Sequence, residues 1–88
     1  MAKMGADVEQ LDTLAKKFDT EAEQLNQTIN QIGSQVKSVW WEGRDADRFR
    51  SEWDSQFAAQ LRRISESLKQ AGQGVRRQAQ QQRSTSGG

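Results

Sequence analysis

The 88-residue chain contains no cysteine, no histidine, no proline and no tyrosine. Without cysteine there is no disulfide to staple a small fold, and at this length a single-chain core is marginal without a staple, a metal or a partner. Without histidine the usual general base and the usual metal ligand are gone, so carboxylates, lysines and hydroxyls are all that remain for chemistry. No stretch of 18 apolar residues occurs, which excludes a membrane-spanning helix. The opening Met1 to Asp7 has no apolar run of signal-peptide length, so any export must follow a signal-peptide-independent route, with the protein cytoplasmic beforehand. Mean hydropathy is −0.99, which demands a large polar surface of the kind that two thin helices expose. Helix is also the state that this composition favours.

The net charge of +1 hides an uneven distribution. Eleven of the 12 acids lie at or before Asp54; beyond it only Glu66 is acidic, whereas Arg62, Arg63, Lys69, Arg76, Arg77 and Arg83 are basic. Such halves complement one another in an antiparallel fold-back, or offer a basic arm to an external anion.

Two apolar runs organise what is present. The first, Val8, Leu11, Ala15, Phe18, Ala22, Leu25, Ile29, Ile32, Val36 and Val39, alternates steps of three and four and is widened by Leu14. This is the seam of a coiled coil, on a helix with Asp7 as its N-cap. The second reads Ala46, Phe49, Trp53, Phe57, Leu61, Ile64, Leu68, Ala71 and Val75. Its three successive steps of four predict local unwinding of the supercoil near the aromatics. Gly72 and Gly74 are expected to weaken this helix. The predicted organisation is a flexible N-terminus over 1–6, a helix over 7–40, a turn over 41–44, a helix over 45–83 that frays after about residue 75, and a disordered tail over 84–88.

The short connection forces antiparallel neighbours. An index sum near 86 pairs Val36 with Phe49, Ile32 with Trp53, Ile29 with Phe57, Leu25 with Leu61, Ala22 with Ile64 and Phe18 with Leu68. It also places Glu23 beside Arg62 and Arg63, and Glu9 beside Arg76 and Arg77, but sets Lys17 against Lys69. One hairpin cannot cover both stripes together with Leu14, Trp40 and Trp41 at their borders. The fold class expected is therefore an all-α antiparallel hairpin that dimerises into a four-helix bundle. The expected core and dimer-packing residues are Leu11, Leu14, Phe18, Leu25, Ile29, Ile32, Val36, Trp40, Phe49, Trp53, Phe57, Leu61, Ile64 and Leu68.

At the midpoint stands Trp41-Glu42-Gly43, a Trp-x-Gly between two amphipathic helices in a chain of this length, with Ala46 and Phe49 following the glycine. The chain resembles the WXG100 family of small proteins, in a pattern common to actinobacterial members, and the resemblance covers nearly its whole length. It implies a non-enzymatic protein exported as a folded dimer through type VII secretion, with no cofactor and no small-molecule substrate. The implied partners are a second copy or a related WXG100 protein, the ATPase-driven secretion machinery, and in some cases a larger co-secreted effector. The implied location is outside the cell or on its surface. In that family the export signal joins the Trp-x-Gly turn of one subunit to a Tyr-x-x-x-Asp/Glu element trailing from the other. Here the chain departs from the pattern, having no tyrosine and no acid after Glu66. Either a partner supplies that element or a different signal is used.

Trp41, Glu42 and Gly43 are accordingly the candidate secretion and turn motif, with the glycine turning the chain where a side chain would clash and the indole capping the hairpin end. A purely structural coiled-coil adaptor would share the apolar runs but has no need of the motif. A nucleic-acid binder would use Arg76, Arg77 and Arg83, which lack interleaved aromatics and promise only a weak, salt-sensitive interaction. Catalysis has the least support, because the carboxylates Asp45, Asp47, Glu52 and Asp54 fall on solvated positions with nothing to orient a nucleophile.

Overall fold

A computed structural model describes residues 5–86, so the expectations for residues 1–4, 87 and 88 lie outside the described residues. Helix α1 spans Val8–Ser38, α2 spans Arg44–Glu52, a π-helical turn occupies Trp53–Phe57, and α3 runs over Ala58–Ser86. The last three form one continuous limb that folds back along α1. The result is a rod of 66 × 22 × 16 Å with a radius of gyration of 19.7 Å. A globule of this length would have about 12 Å. No described helix is long and apolar enough to cross a membrane.

Local chemistry accounts for the ends of α1. The Asp7 carboxylate accepts the Gln10 amide at 3.1 Å, satisfying one of the free donors of the first turn. Helix α1 stops at Ser38, two residues short of the expected position 40, because Val39 leaves helical geometry (φ −65°, ψ 138°). The second limb departs from expectation in the other direction. It begins at Arg44 rather than Asp45, and it stays helical through Ser86 instead of fraying after Val75 or giving way to a disordered tail at residue 84. Part of the reason is that its C-terminal half is tied to α1. Arg76 bonds Asp19 and Arg83 bonds Asp12, so the far turns are held from the side.

The seam between the limbs is built mostly from small residues, with the larger Ile29 and Trp53 among them. Ala15, Ala22 and Ile29 on α1 and Ala58, Ser65, Gly72 and Ala79 on α3 recur every seven positions and are buried. The Ser65 hydroxyl donates to the Ala22 carbonyl at 3.1 Å, a bond that only closely approaching backbones permit. At Gly72 an added Cβ would lie 3.1 Å from Phe18 Cβ and 3.3 Å from the Ala15 carbonyl. Gly72, expected merely to weaken the helix, is thus a point where the two helices approach closely. Gly74, with only the Arg77 guanidinium 3.7 Å from an added Cβ, has no such role.

This seam corrects the expected pairing. Ala22 with Ser65 and Ala15 with Gly72 both sum to 87 rather than 86. The shift is one residue, yet it puts alanine, serine and glycine between the helices and moves the large side chains to the border. Leu25 and Leu61 still pack against the core, and Phe18 and Leu68 still share a groove, but Ile64 does not face Ala22 and Phe57 does not face Ile29. Trp53 packs with Ile29 and Ala58, its indole nitrogen 3.2 Å from where a Cβ on Gly33 would lie, rather than opposite Ile32.

The π-turn answers the three steps of four. Positions five apart in an α-helix point about 140° away from each other. The wide turn, closed by the Ala58 amide on the Trp53 carbonyl, instead lets both residues face α1, and both are buried. The mismatch expected to unwind the supercoil is therefore absorbed at one point.

The helices leave two unlike faces. Residues three positions after a seam residue lie about 60° to one side and those four after lie about 40° to the other, and in antiparallel helices equal offsets share a face. The front face thus gathers Leu11, Phe18, Leu25 and Ile32 with Leu61, Leu68 and Val75, extended outward by Leu14, Phe57 and Ile64. Leu14, Ile32, Phe57 and Ile64 are each at least 40% exposed. The back face carries Asp12, Asp19, Arg76 and Arg83, with Lys16 alongside. Arg76 is met by Asp19 rather than by the expected Glu9, and Glu23, expected beside Arg62 and Arg63, makes no ion pair with them among the described residues; both glutamates are exposed. The Asp19 carboxylate, through its hydrogen bond, raises the Arg76 pKa above its ordinary value. The anticipated Lys17–Lys69 conflict is resolved within each helix, by Glu21 at 2.9 Å and Glu66 at 3.9 Å.

The total accessible surface is 6966 Å² for a 10.0 kDa chain. A compact monomer of that mass exposes about 5,200 Å².

Candidate functional site

The tip of the rod is the segment Val39 to Gly43, where regular structure stops. Gly43 has φ 118° and ψ 179°, a backbone conformation essentially closed to residues with a side chain. Nothing lies within 4 Å of where its Cβ would be. The glycine is therefore required by backbone geometry, not by the clash anticipated for it. It serves as the N-cap of α2 rather than as a C-cap of α1. The Asp47 amide bonds the Gly43 carbonyl at 3.1 Å to open that helix, and Asp45 and Asp47 in its first turn suit the positive end of the helix dipole.

The two adjacent tryptophans have different surroundings. Trp41 is 40% exposed and leans on Phe49, ring centroids 5.7 Å apart, and Phe49 in turn meets Phe57 at 6.3 Å. The aromatic row continues the apolar front face up to the tip. Trp40, expected among the packing residues, is instead 86% exposed, more than any other large apolar side chain described. Neighbouring residues in the extended segment that follows α1 point in opposite directions, so the side chain next to one that packs on the front face is turned away from it. Glu42 is exposed and, among the described residues, makes no side-chain hydrogen bond.

One residue that sequence reasoning missed holds this segment together. Arg50 projects from α2, half-buried, and donates from Nε to the Val36 carbonyl at 2.9 Å, from one terminal nitrogen to the Trp41 carbonyl at 2.9 Å, and from the other to the Val39 carbonyl at 3.0 Å. The end of a helix leaves carbonyls without partners, and a guanidinium is suited to them by charge and by its planar fork of donors. Hydrogen bonds to a charged group contribute roughly 1.5–3 kcal/mol each when well formed. The only signal available in sequence was a basic residue one position after Phe49, and alternation of apolar and polar residues does not distinguish it from a solvated arginine.

The remaining predicted residues divide cleanly. Ile29 and Trp53 are in the buried seam, with Val36, Leu25 and Leu61 packed against it. Leu11, Phe18 and Leu68 are half-buried at the border, and Leu14, Ile32, Phe49, Phe57 and Ile64 stand exposed. Leu14, Phe18 and Leu68, joined by Lys17 and Glu21, line a shallow groove of about 140 Å³ on the front face. The carboxylates considered for catalysis are dispersed: Asp45 bonds Arg48 at 3.0 Å, and the described residues hold no group of acids arranged to take a metal ion.

A family model, WXG100, described as proteins of 100 residues with WXG, matches residues 3–85. Neither a curated protein nor a solved structure matches the chain.

Proposed function

The chain belongs to the WXG100 family, and from that premise we propose that it is a small non-enzymatic protein exported in folded form by type VII secretion, paired through its front face and recognised at its tip. The partner is a second copy or a related WXG100 protein, and pairing two such faces makes a four-helix bundle. The observation that carries this reading is the continuity of exposed apolar surface from Leu14 to Trp41 on one side of a rod whose opposite side is charged. A patch of that extent on a soluble chain marks an interaction site. Its borders suit helix pairing: Gln24, Thr28, Gln31, Gln35, Gln60 and Ser67 are uncharged, and Lys17 and Glu21 neutralise each other at 2.9 Å.

Trp41 and Gly43 are the recognised element on this reading. These 88 residues contain no tyrosine, and on this reading the Tyr-x-x-x-Asp/Glu element of the family's signal is either supplied by the partner or replaced by a different signal. The basic arm gives little independent support to nucleic-acid binding, since Arg76 and Arg83 are engaged by Asp19 and Asp12.

The test separates folding from export. Trp41→Ala removes an indole that packs only on the rim, whereas Trp53→Ala empties the buried centre and costs about 3–5 kcal/mol. Melting curves and secretion blots from the same strains should show Trp41→Ala folded but retained in the cell, and Trp53→Ala chiefly destabilised. Normal secretion of folded Trp41→Ala would reduce the motif to a turn and favour a structural adaptor.

A further inference from the structure

We propose that Arg50 is the positioning residue of the tip, setting the direction in which Trp40 and Trp41 are presented; this rests on the reading that the tip is what the export machinery recognises. Three carbonyls from three successive parts of the chain converge on one guanidinium: Val36 from the last turn of α1, Val39 from its cap, and Trp41 from the turn itself. Among the described residues no other side chain hydrogen-bonds any residue from Val39 to Gly43. The backbone bonds of the tip lie at its two ends, Val39 to Gln35 and Asp47 to Gly43, leaving Trp40, Trp41 and Glu42 tied to α2 by Arg50 alone among polar contacts.

The indoles cannot fix themselves. Trp40 is almost wholly exposed, and Trp41 touches Phe49 on one side. Gly43, with no Cβ contact, supplies a bend but no restraint on the residues before it. The position of the Trp41 backbone therefore depends on its carbonyl being held, and that carbonyl is held from a residue nine positions later, on the opposite limb. A lysine at position 50 would retain the charge at the end of α1 but, as a compact point donor, could not span three carbonyls in one plane.

A structural role alone would move stability and export together, so the experiment uses full-length Arg50→Lys and Arg50→Gln beside Trp41→Ala, with melts, secretion blots and NMR of the three indole N–H groups. Both Arg50 variants should remain helical, with export reduced about tenfold or more, as expected when a recognition element is present but loosely held. The Trp41 indole should gain fast motion while the buried Trp53 indole keeps its rigidity. If Arg50→Gln fails to fold, Arg50→Lys decides. Wild-type export of Arg50→Lys, or an unchanged Trp41 indole signal in it, overturns the proposal. Export that merely tracks the melting temperature across the variants overturns it as well. Should Trp41→Ala itself be exported normally, the recognition reading fails rather than the assignment of Arg50.

Discussion

The seam and the front face of this hairpin use opposite kinds of residue. Between the helices lie alanine, serine and glycine at seven-residue intervals, and among the fully buried side chains Ile29 is the largest. Outside stand Leu14, Ile32, Phe49, Phe57 and Ile64. In a self-sufficient domain the larger apolar groups would be inside, because burying each contributes about 1.5–3 kcal/mol. Here the close approach of two backbones is stabilised by many small contacts, and the larger apolar groups are left at the surface. The difference teaches that the single hairpin closes on small residues and leaves most of its larger apolar groups on one exposed face.

The sharpest way to break this comparison is to charge each side in turn. Ile29→Asp places an uncompensated carboxylate beside Trp53 and Ala58 and should abolish helicity at every protein concentration, a loss of several kcal/mol visible by circular dichroism. Ile64→Asp, on a side chain 51% exposed, should instead shift light-scattering mass toward about 10 kDa at micromolar concentration, with helicity lost only on dilution or heating. If Ile64→Asp proved the more damaging to helicity, the small-residue seam would not be the organising contact.

A subtler contrast comes from two glycines two residues apart in the same helix. Gly72→Ala pushes a methyl group to within 3.1 Å of Phe18 Cβ and should destabilise by about 1–3 kcal/mol despite the gain in helix propensity. Gly74→Ala meets only the end of a flexible arginine and should stabilise by up to about 1 kcal/mol. Chemical denaturation of both would settle whether the interhelical approach is as close as the Ser65 to Ala22 bond requires. The smallest effect belongs to the back face. Asp19→Asn should cost no more than about 1 kcal/mol, and less in high salt, because its bond to Arg76 is solvated.

Much of the architecture was legible in the sequence because helical periodicity is a local property. Alternating steps of three and four announced α1, Asp7 announced its cap, and the central glycine announced the turn. The site was legible in part: Trp41 and Gly43 stood out as a motif, whereas Arg50 looked like any solvated arginine. Its role depends on carbonyls 9 to 14 residues away, which no local pattern reveals. Trp40 stands exposed in the single hairpin for a related reason, since an apolar residue at a helix end reads as core until the chain is seen to leave the helix before it.

By itself the sequence determined that this chain makes two amphipathic helices, that they run antiparallel about a turn at Gly43, and that more apolar surface exists than one hairpin can bury. Tertiary structure alone decided which stripe faces inward. An apolar repeat on a helix is wide enough to be turned by some tens of degrees without loss of pattern, so large and small residues compete for the interior. The competition is resolved only when two backbones are brought together: Gly72 lets α1 approach, Ser65 reaches the Ala22 carbonyl, and a π-turn brings Trp53 and Ala58 onto the same side. Those are relations between residues far apart in the chain, and their energies exist only at the distances that folding creates.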